Sequence, residues 1–197
     1  GVKGTRAGNF AMQNCDLLLV LGSRLPVPTT GYNYTTFARD AKVIVVDIDK
    51  EEHSKNTVKI DKFIHSNLKD FLNENRVRVD VPEWQQKCLK WRDSWPIIPS
   101  KKSDETGIDL YDFTSKLNQF KPDDSVVISD AGSAYYVCSQ ATGIKGNQRY
   151  ITSSAQAEMG FTVPACIGAA FAGSPCVIGV TGDGSLQMNI QELQTIK

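Results

Sequence analysis

Paired cysteine motifs, histidine clusters, long apolar runs and a net charge are all missing from this chain of 197 residues. Its 22 basic and 22 acidic residues cancel to a formal charge of zero. No broad field therefore points to nucleic acid or an anionic membrane, and a small anionic ligand bound locally is the remaining electrostatic option. No apolar stretch approaches the ~20 residues of a membrane span, and the opening GVKGTRAGNF lacks the pattern of a secretory signal. The expectation is a cytoplasmic protein with neither a membrane nor a nucleic-acid partner. The five cysteines, Cys15, Cys88, Cys138, Cys166 and Cys176, are odd in number, scattered and without a C-x-x-C pair. All five read as reduced core or surface residues rather than catalytic or metal-binding ones. The two histidines, His53 and His65, have no metal-ligand partner at usable spacing and read as structural. Ser133, Ser153 and Ser154 are turn residues outside any G-x-S-x-G elbow. There is no internal repeat and no low-complexity segment. What remains is enough chain for one large or two modest domains with a real core.

Hydrophobic patterning sets out two α/β units. In the first, a short helix over about 5–14 precedes the apolar strand DLLLVLGS at 16–23, a second strand AKVIVVDID follows at 41–49, and KIDKFIHS reads as a third. NLKDFLNEN is helical, with Ser66 or Asn67 as its N-cap. Strands separated by helical segments imply crossovers and a parallel sheet. Residues 78–104 change character: they hold three Trp and many charges, and Trp84, Cys88 and Trp91 line one face of a helix over about 82–94. Lys101 and Lys102 read as a solvated charge pair. The segment reads as a linker packing across two domains. The second unit begins near 105, with IDLYDFTSKLNQF helical, DSVVISDAGSA a strand entering a glycine turn, YYVCSQATG a helix, NQRYITSS a short strand, PACIGAAFA a helix of small residues and PCVIGVTGDGS a strand and turn. Beyond it, Leu186, Ile190, Leu193 and Ile196 recur at intervals that line one helix face.

Three turns in the second unit fall at the carboxyl ends of these strands: SDAGSAYY, SSAQAEMGF and TGDGSLQMN. Open parallel sheets bind ligands at that edge, so the three loops can converge on one cofactor. In the last turn Gly182 and Gly184 let backbone approach a ligand, the helix that follows favours an anion, and Asp183 offers hard oxygen to a divalent cation.

The run SSAQAEMGFTVPACIGAAFAGSPCVIGVTGDGSLQMNIQELQTI resembles the diphosphate-binding domain of thiamine-diphosphate enzymes, within them the acetolactate synthase group. GVKGTRAGNFAMQNCDLLLVLGSRL and AKVIVVDIDKEE are similar to the central domain of that group. The resemblance covers nearly the whole chain in the family's order. It implies residues 1–77 as the C-terminal part of a Rossmann-like central domain and 105–197 as the N-terminal part of a thiamine-diphosphate-binding fold, each a three-layer parallel-sheet unit. It further implies that Asp183 coordinates Mg²⁺ at the cofactor diphosphate, with the amides of Gly184 and Ser185 on its oxygens. Gly132, Ser133 and Ala134 would touch the diphosphate's other side, where the synthases usually have Gly-Gln-His. The Ala157 carbonyl would receive the cofactor's 4′-amino group, and Met159 would wedge under the bent cofactor. The family's second metal side chain, an asparagine further along, has no counterpart here, nor has the glutamate that a neighbouring subunit contributes to cofactor activation. The chain therefore reads as a fragment, inactive alone, of a homo-oligomeric parent, a dimer or tetramer.

In the synthases the central domain holds FAD, and Gly1, Val2, Lys3, Gly22, Arg24, Asp47, Ile48 and Glu52 match the positions that line it. By that resemblance Arg24 pairs with phosphate and Asp47 or Glu52 with ribose hydroxyls. Pro26 and Pro28 stand where the synthases carry an acidic and a basic residue, and Asn67 where they carry aspartate. These departures look more like relatives that pass a two-carbon unit to other acceptors, keto sugars among them. The implied activity is decarboxylation of a 2-oxo acid such as pyruvate, with transfer of the two-carbon unit to an acceptor. The readings standing beside it are a related oxidase or decarboxylase and a non-catalytic phosphate-binding module.

Overall fold

The computed structural model describes residues 1, 3–76, 79–99, 106–154 and 156–197. Val2, Lys101 and Lys102 thus lie outside the described residues, as do 77, 78 and 100–105 of the expected linker and its borders. The chain divides into two compact units, Gly1–Pro96 and Ile97–Lys197.

In the first unit, α1 (Arg6–Asn14) is capped by Thr5, whose hydroxyl accepts from the Gly8 amide at 3.1 Å. It leads into β1 (Leu17–Leu21). After the short α2 (Val27–Thr30) come β2 (Lys42–Asp47), β3 (Lys62–His65) and α3 (Leu68–Glu74). The three strands form one parallel sheet in the order β1-β2-β3, with Leu19 opposite Ile44 and Val45 opposite Phe63. The middle strand is β-branched at Val43, Val45 and Val46, all at most 3% exposed. Such side chains fill the pleat on both faces of a parallel strand. Around them Val20, Leu25, Phe37, Ala38 and Val58 complete the core. Asn67 caps α3, its Oδ1 accepting from the Lys69 amide at 2.9 Å.

The helix expected over 82–94 forms as α4 (Pro82–Ser94). Trp84, Cys88 and Trp91 are its half-buried stripe. Trp91 and Trp95 pack on Phe10 of α1 at centroid distances of 5.8 and 4.8 Å.

The second unit runs α5 (Leu110–Phe120), β4 (Ser125–Ser129), α6 (Gly132–Ala141), β5 (Arg149–Thr152), α7 (Thr162–Phe171), β6 (Cys176–Val180), α8 (Asp183–Met188) and α9 (Leu193–Ile196). Its sheet is again parallel, in the order β5-β4-β6. The central β4 is buried along its whole length. Gly179 of β6 lets α7 approach, since a Cβ there would stand 2.9 Å from Cys166 Sγ and Thr162 Cγ2.

One expectation fails. The single helix read through Leu186, Ile190, Leu193 and Ile196 is broken at Asn189 (φ −134°, ψ 34°) into α8, a 3₁₀ turn (Ile190–Glu192) and α9. Asn189 Nδ2 donates to the Gly160 carbonyl at 2.7 Å, and this tertiary bond outweighs helix continuity. Ile190, Leu193 and Ile196 are 46–57% exposed, so the pattern does not mark a buried face within this unit.

Candidate cofactor site at the carboxyl edge of the second sheet

The three glycine-containing loops meet around a residue that the sequence reading passed over. Asp130 follows the last residue of β4 and is fully buried. Its Oδ1 accepts from the Ala131 amide at 2.7 Å, and its Oδ2 accepts from the Thr162 amide at 3.3 Å and the Thr181 hydroxyl at 2.9 Å. One carboxylate thus ties the loop after β4, the start of α7 and the loop after β6. Burial works to raise its pKa, but the donors around it prevail and hold the carboxyl below the ordinary carboxylate value. The signal was present: an acid directly after the apolar VVIS, with sheet on both sides, is either paired or neutral.

The second and third loops lock together through a separate set of contacts. The Gly160 amide donates to the buried Ser185 Oγ at 3.0 Å. Gly160 sits at φ +86°, and a Cβ there would lie 2.8 Å from Asn189 Nδ2 and 2.9 Å from Met188 Cβ. Met159 reaches toward Gly184, its Cε 3.1 Å from where a Cβ on that glycine would be. Ala157 adopts the left-handed region, φ +52°, which an L-residue enters at a cost of about 1–2 kcal/mol. The bend turns the backbone between the Ser153 hydroxyl, which accepts from the Glu158 amide at 3.1 Å, and Met159.

The residues named from sequence divide by what they offer. Gly132, at φ +60°, Ser133 and Ala134 form the first turn of α6, which begins two residues after Asp130. Gly182 is the N-cap of α8 and Asp183 its first residue, both exposed. A Cβ at Gly132 or Gly182 would meet nothing within 4 Å, so both backbones are open to a ligand. Among the described residues no group of three or more His, Cys, Asp or Glu gathers at one point. A cation at Asp183 would therefore take most of its ligands from phosphate, backbone or water oxygens, the donor set magnesium prefers. The exposed Met159, 47% accessible, presents an unbranched apolar side chain beside this edge.

In the first unit, Gly22, Arg24, Asp47, Ile48 and Glu52 lie at or after the carboxyl ends of β1 and β2. Gly22 (φ +59°) donates its amide to the Val46 carbonyl at 2.9 Å. Arg24 pairs with Glu52 at 3.3 Å, and Glu52 also binds Lys55. Asp47 Oδ1 accepts from the Asp49 amide at 3.0 Å and Oδ2 faces His53 Nε2 at 3.2 Å. The Asp49 amide first, and His53 after it, outweigh desolvation and hold Asp47 below its ordinary value. Both Asp47 oxygens thus have a partner. Ile48 is 66% exposed, and the Gly1 backbone lies against the Pro28 and Thr29 carbonyls. Lys3 stands two residues along, in the turn before α1. His53 is buried against Phe63, and His65 Nε2 lies 2.9 Å from the Ile48 carbonyl, which gives both histidines structural partners.

A parallel α/β unit with glycine turns at its carboxyl edge has the layout on which such sheets bind phosphorylated ligands. Comparison with known proteins makes the class specific. Residues 1–74 match the family described as thiamine pyrophosphate enzyme, central domain, and residues 130–197 match thiamine pyrophosphate enzyme, C-terminal TPP binding domain. This chain belongs to the thiamine pyrophosphate enzymes. Over its whole length it is 37% identical to the acetolactate synthase isozyme 2 large subunit of Escherichia coli (strain K12), covering 35% of that protein. It is likewise 35% identical to the acetolactate synthase large subunit of Porphyra purpurea, covering 34%, and 31% identical to the probable acetolactate synthase large subunit of Methanocaldococcus jannaschii, covering 35%. The chain spans about a third of the length of the curated relatives it matches.

Proposed function

We propose that the parent of this chain decarboxylates a 2-oxo acid, pyruvate first among them, and transfers the two-carbon unit to an acceptor. The bound thiamine diphosphate supplies the electron sink for that chemistry. The observation that carries the reading is the Asp130 junction, which holds the ends of β4 and β6 and the start of α7 at one place, so that the loops leaving there are within reach of one ligand. In this arrangement Asp183 holds Mg²⁺, and the amides of Gly184 and Ser185 face one side of the diphosphate. Gly132, Ser133 and Ala134 face the other. The Ala157 carbonyl would accept from the cofactor's amino group and Met159 would pack against its rings; the left-handed backbone at Ala157 and the approach of the Met159 side chain toward Gly184 support these roles. The test is carbon dioxide release from pyruvate by the full-length parent. Turnover that requires both thiamine diphosphate and Mg²⁺ supports the reading; a folded parent that binds neither belongs with the non-catalytic modules.

For the first unit we propose FAD at the edge formed by Gly1, Lys3, Gly22, Arg24, Ile48 and Glu52, with Val2 beside them by sequence. Arg24 is its phosphate partner, exchanging Glu52 for the ligand. Asp47, whose oxygens also hold the Asp49 amide and face His53, or Glu52 meets the ribose hydroxyls. Flavin absorbance that co-purifies with the parent and falls in Arg24→Ala would support this site; a colourless, fully folded parent would contradict it. We further place the parent in the cytoplasm as a homo-oligomer. The free state of Cys15, Cys88, Cys138, Cys166 and Cys176 supports the compartment. An apolar groove of about 540 Å³ between α7, β6 and α9, lined by Val163, Ile167, Phe171, Val177 and Ile196, supports further chain or another copy against this unit.

A further inference from the structure

We propose that Cys15 and Cys88 are a thiol pair that hydroperoxide closes into a disulfide, fastening α4 to the end of α1. The pairing follows from how the two helices run. The Arg6 guanidinium carbon stands 6.0 Å from the Trp95 ring centroid. Phe10, one turn further along α1, packs on Trp95 at 4.8 Å and already reaches Trp91 at 5.8 Å. Advancing along α1 therefore moves the contact backward along α4, so the helices are antiparallel. One more turn in the same direction places the end of α1 level with Lys87 and Cys88. Cys15 is the C-cap of α1. Cys88 belongs to the half-buried stripe of α4 that includes Trp91, the residue in contact with Phe10.

Local geometry favours closure. Cys15 leaves the helix in extended backbone (φ −77°, ψ 153°), so the adjustment a disulfide needs, a Cα separation of about 4.4–6.8 Å, falls on a helix end and not on a helix interior. Its thiol donates to the Met12 carbonyl at 3.3 Å, a weak bond that is readily given up. Burial pushes the Cys15 thiol up and a backbone hydrogen bond offsets part of this, so its reaction with the oxidant is slow and graded doses are needed to follow it. Both thiols are half-buried, so neither is sealed from a small oxidant. Within Gly1–Pro96 they have no rival, because Cys138, Cys166 and Cys176 all lie in the other unit.

The reaction balances with hydroperoxide as the oxidant. One thiolate attacks a peroxide oxygen, the O–O bond breaks, and a sulfenic acid and water are formed. The second thiol attacks the sulfenic sulfur, the S–S bond forms as the S–O bond breaks, and a second water leaves with the remaining proton. Two thiols lose two electrons and the peroxide gains them. A thiol reductant reverses the closure, which suits a reducing compartment in which such bonds are transient.

The test is a cross-link map of the full chain treated with graded hydrogen peroxide, alkylated and analysed by mass spectrometry without reduction. The same protein oxidised in urea gives the reference distribution over the ten pairs that five cysteines allow. The expected result is a Cys15–Cys88 cross-link within one molecule, several-fold enriched over its share in urea and removed by dithiothreitol. In Cys88→Ser, Cys15 should form no intramolecular cross-link after peroxide and should be recovered as thiol or as its sulfur acids. Dominance of any other pair, cross-links only between molecules, or full alkylation of both thiols after oxidation would overturn the proposal. The wild-type map decides the matter even if the variant does not fold.

Discussion

Thr181 and Asp130 join the carboxyl ends of two neighbouring strands: the Thr181 hydroxyl donates to Asp130 Oδ2 at 2.9 Å, immediately beyond the pairing of Ser129 with Val180. The same oxygen holds the first amide of α7. The junction is structural chemistry placed at the edge where the cofactor loops leave the sheet.

Removing that carboxylate should be costly. Asp130→Ala strands the buried Thr162 amide, which costs about 1–3 kcal/mol, and leaves the Thr181 hydroxyl only its longer bond to the Gly182 carbonyl at 3.4 Å. Urea unfolding of wild type and variant measures the loss. Asp130→Asn should cost less, because the amide oxygen still accepts.

Acid should reveal the same group. The folded pKa of Asp130 lies below its ordinary 3.8. A carboxyl of this kind stabilises the fold above its unfolded pKa, and the contribution fades as pH falls through the folded value. The stability gap between wild type and Asp130→Asn should therefore be full at neutral pH and shrink below about pH 4. A gap that widens in acid would contradict the assignment.

Two glycines should respond differently to alanine. Gly160→Ala places a Cβ 2.8 Å from Asn189 Nδ2 at φ +86° and must push the second and third loops apart. Gly132→Ala meets open space at φ +60°, so it bears only the left-handed cost of about 1–2 kcal/mol. Thermal unfolding should rank Gly160→Ala as clearly the less stable of the two.

The α1–α4 contact offers a third check. Trp91 touches both Phe10 and Trp84, at 5.8 and 5.7 Å. Trp91→Ala should remove about 1–3 kcal/mol, less than a fully buried aromatic would, since α4 keeps much of its surface in solvent. Amide exchange should quicken along Pro82–Ser94 while β2, in the middle of the sheet, stays protected.

Helix capping gives the smallest and cleanest effect. Asp109 accepts from the Tyr111 and Asp112 amides at 2.8 and 2.9 Å. Asp109→Ala should cost about 1 kcal/mol in chemical denaturation.

Strands were the most legible part of the sequence because they read as unbroken apolar runs: DLLLVLGS, AKVIVVDID and PCVIGVTGDGS each contain the observed strand, although Leu17, Leu19 and Leu21 of β1 are exposed within this unit. The Trp84, Cys88 and Trp91 spacing likewise marked the packed face of α4. The loops of the site were visible as glycine turns, since left-handed backbone at Gly132 and Gly160 leaves a compositional trace. Two things were not visible. The break at Asn189 depends on a partner 29 residues away, Gly160, and a local period cannot report a tertiary bond. The partners of Asp130 were the second: its place directly after the apolar VVIS marked an acid in need of partners, but the three elements it ties are distant in sequence.

The most direct measurement of the central claim is calorimetric binding of thiamine diphosphate with Mg²⁺ to the full-length parent, comparing wild type with Asp183→Ala. The account expects tight, magnesium-dependent binding in wild type and its loss in the variant, with no change in thermal stability of the unliganded proteins, because Asp183 is exposed and outside the Asp130 junction. Equal binding by the two proteins would contradict it, and would leave the Gly182–Gly184 turn as a connection between β6 and α8 with no cation to hold.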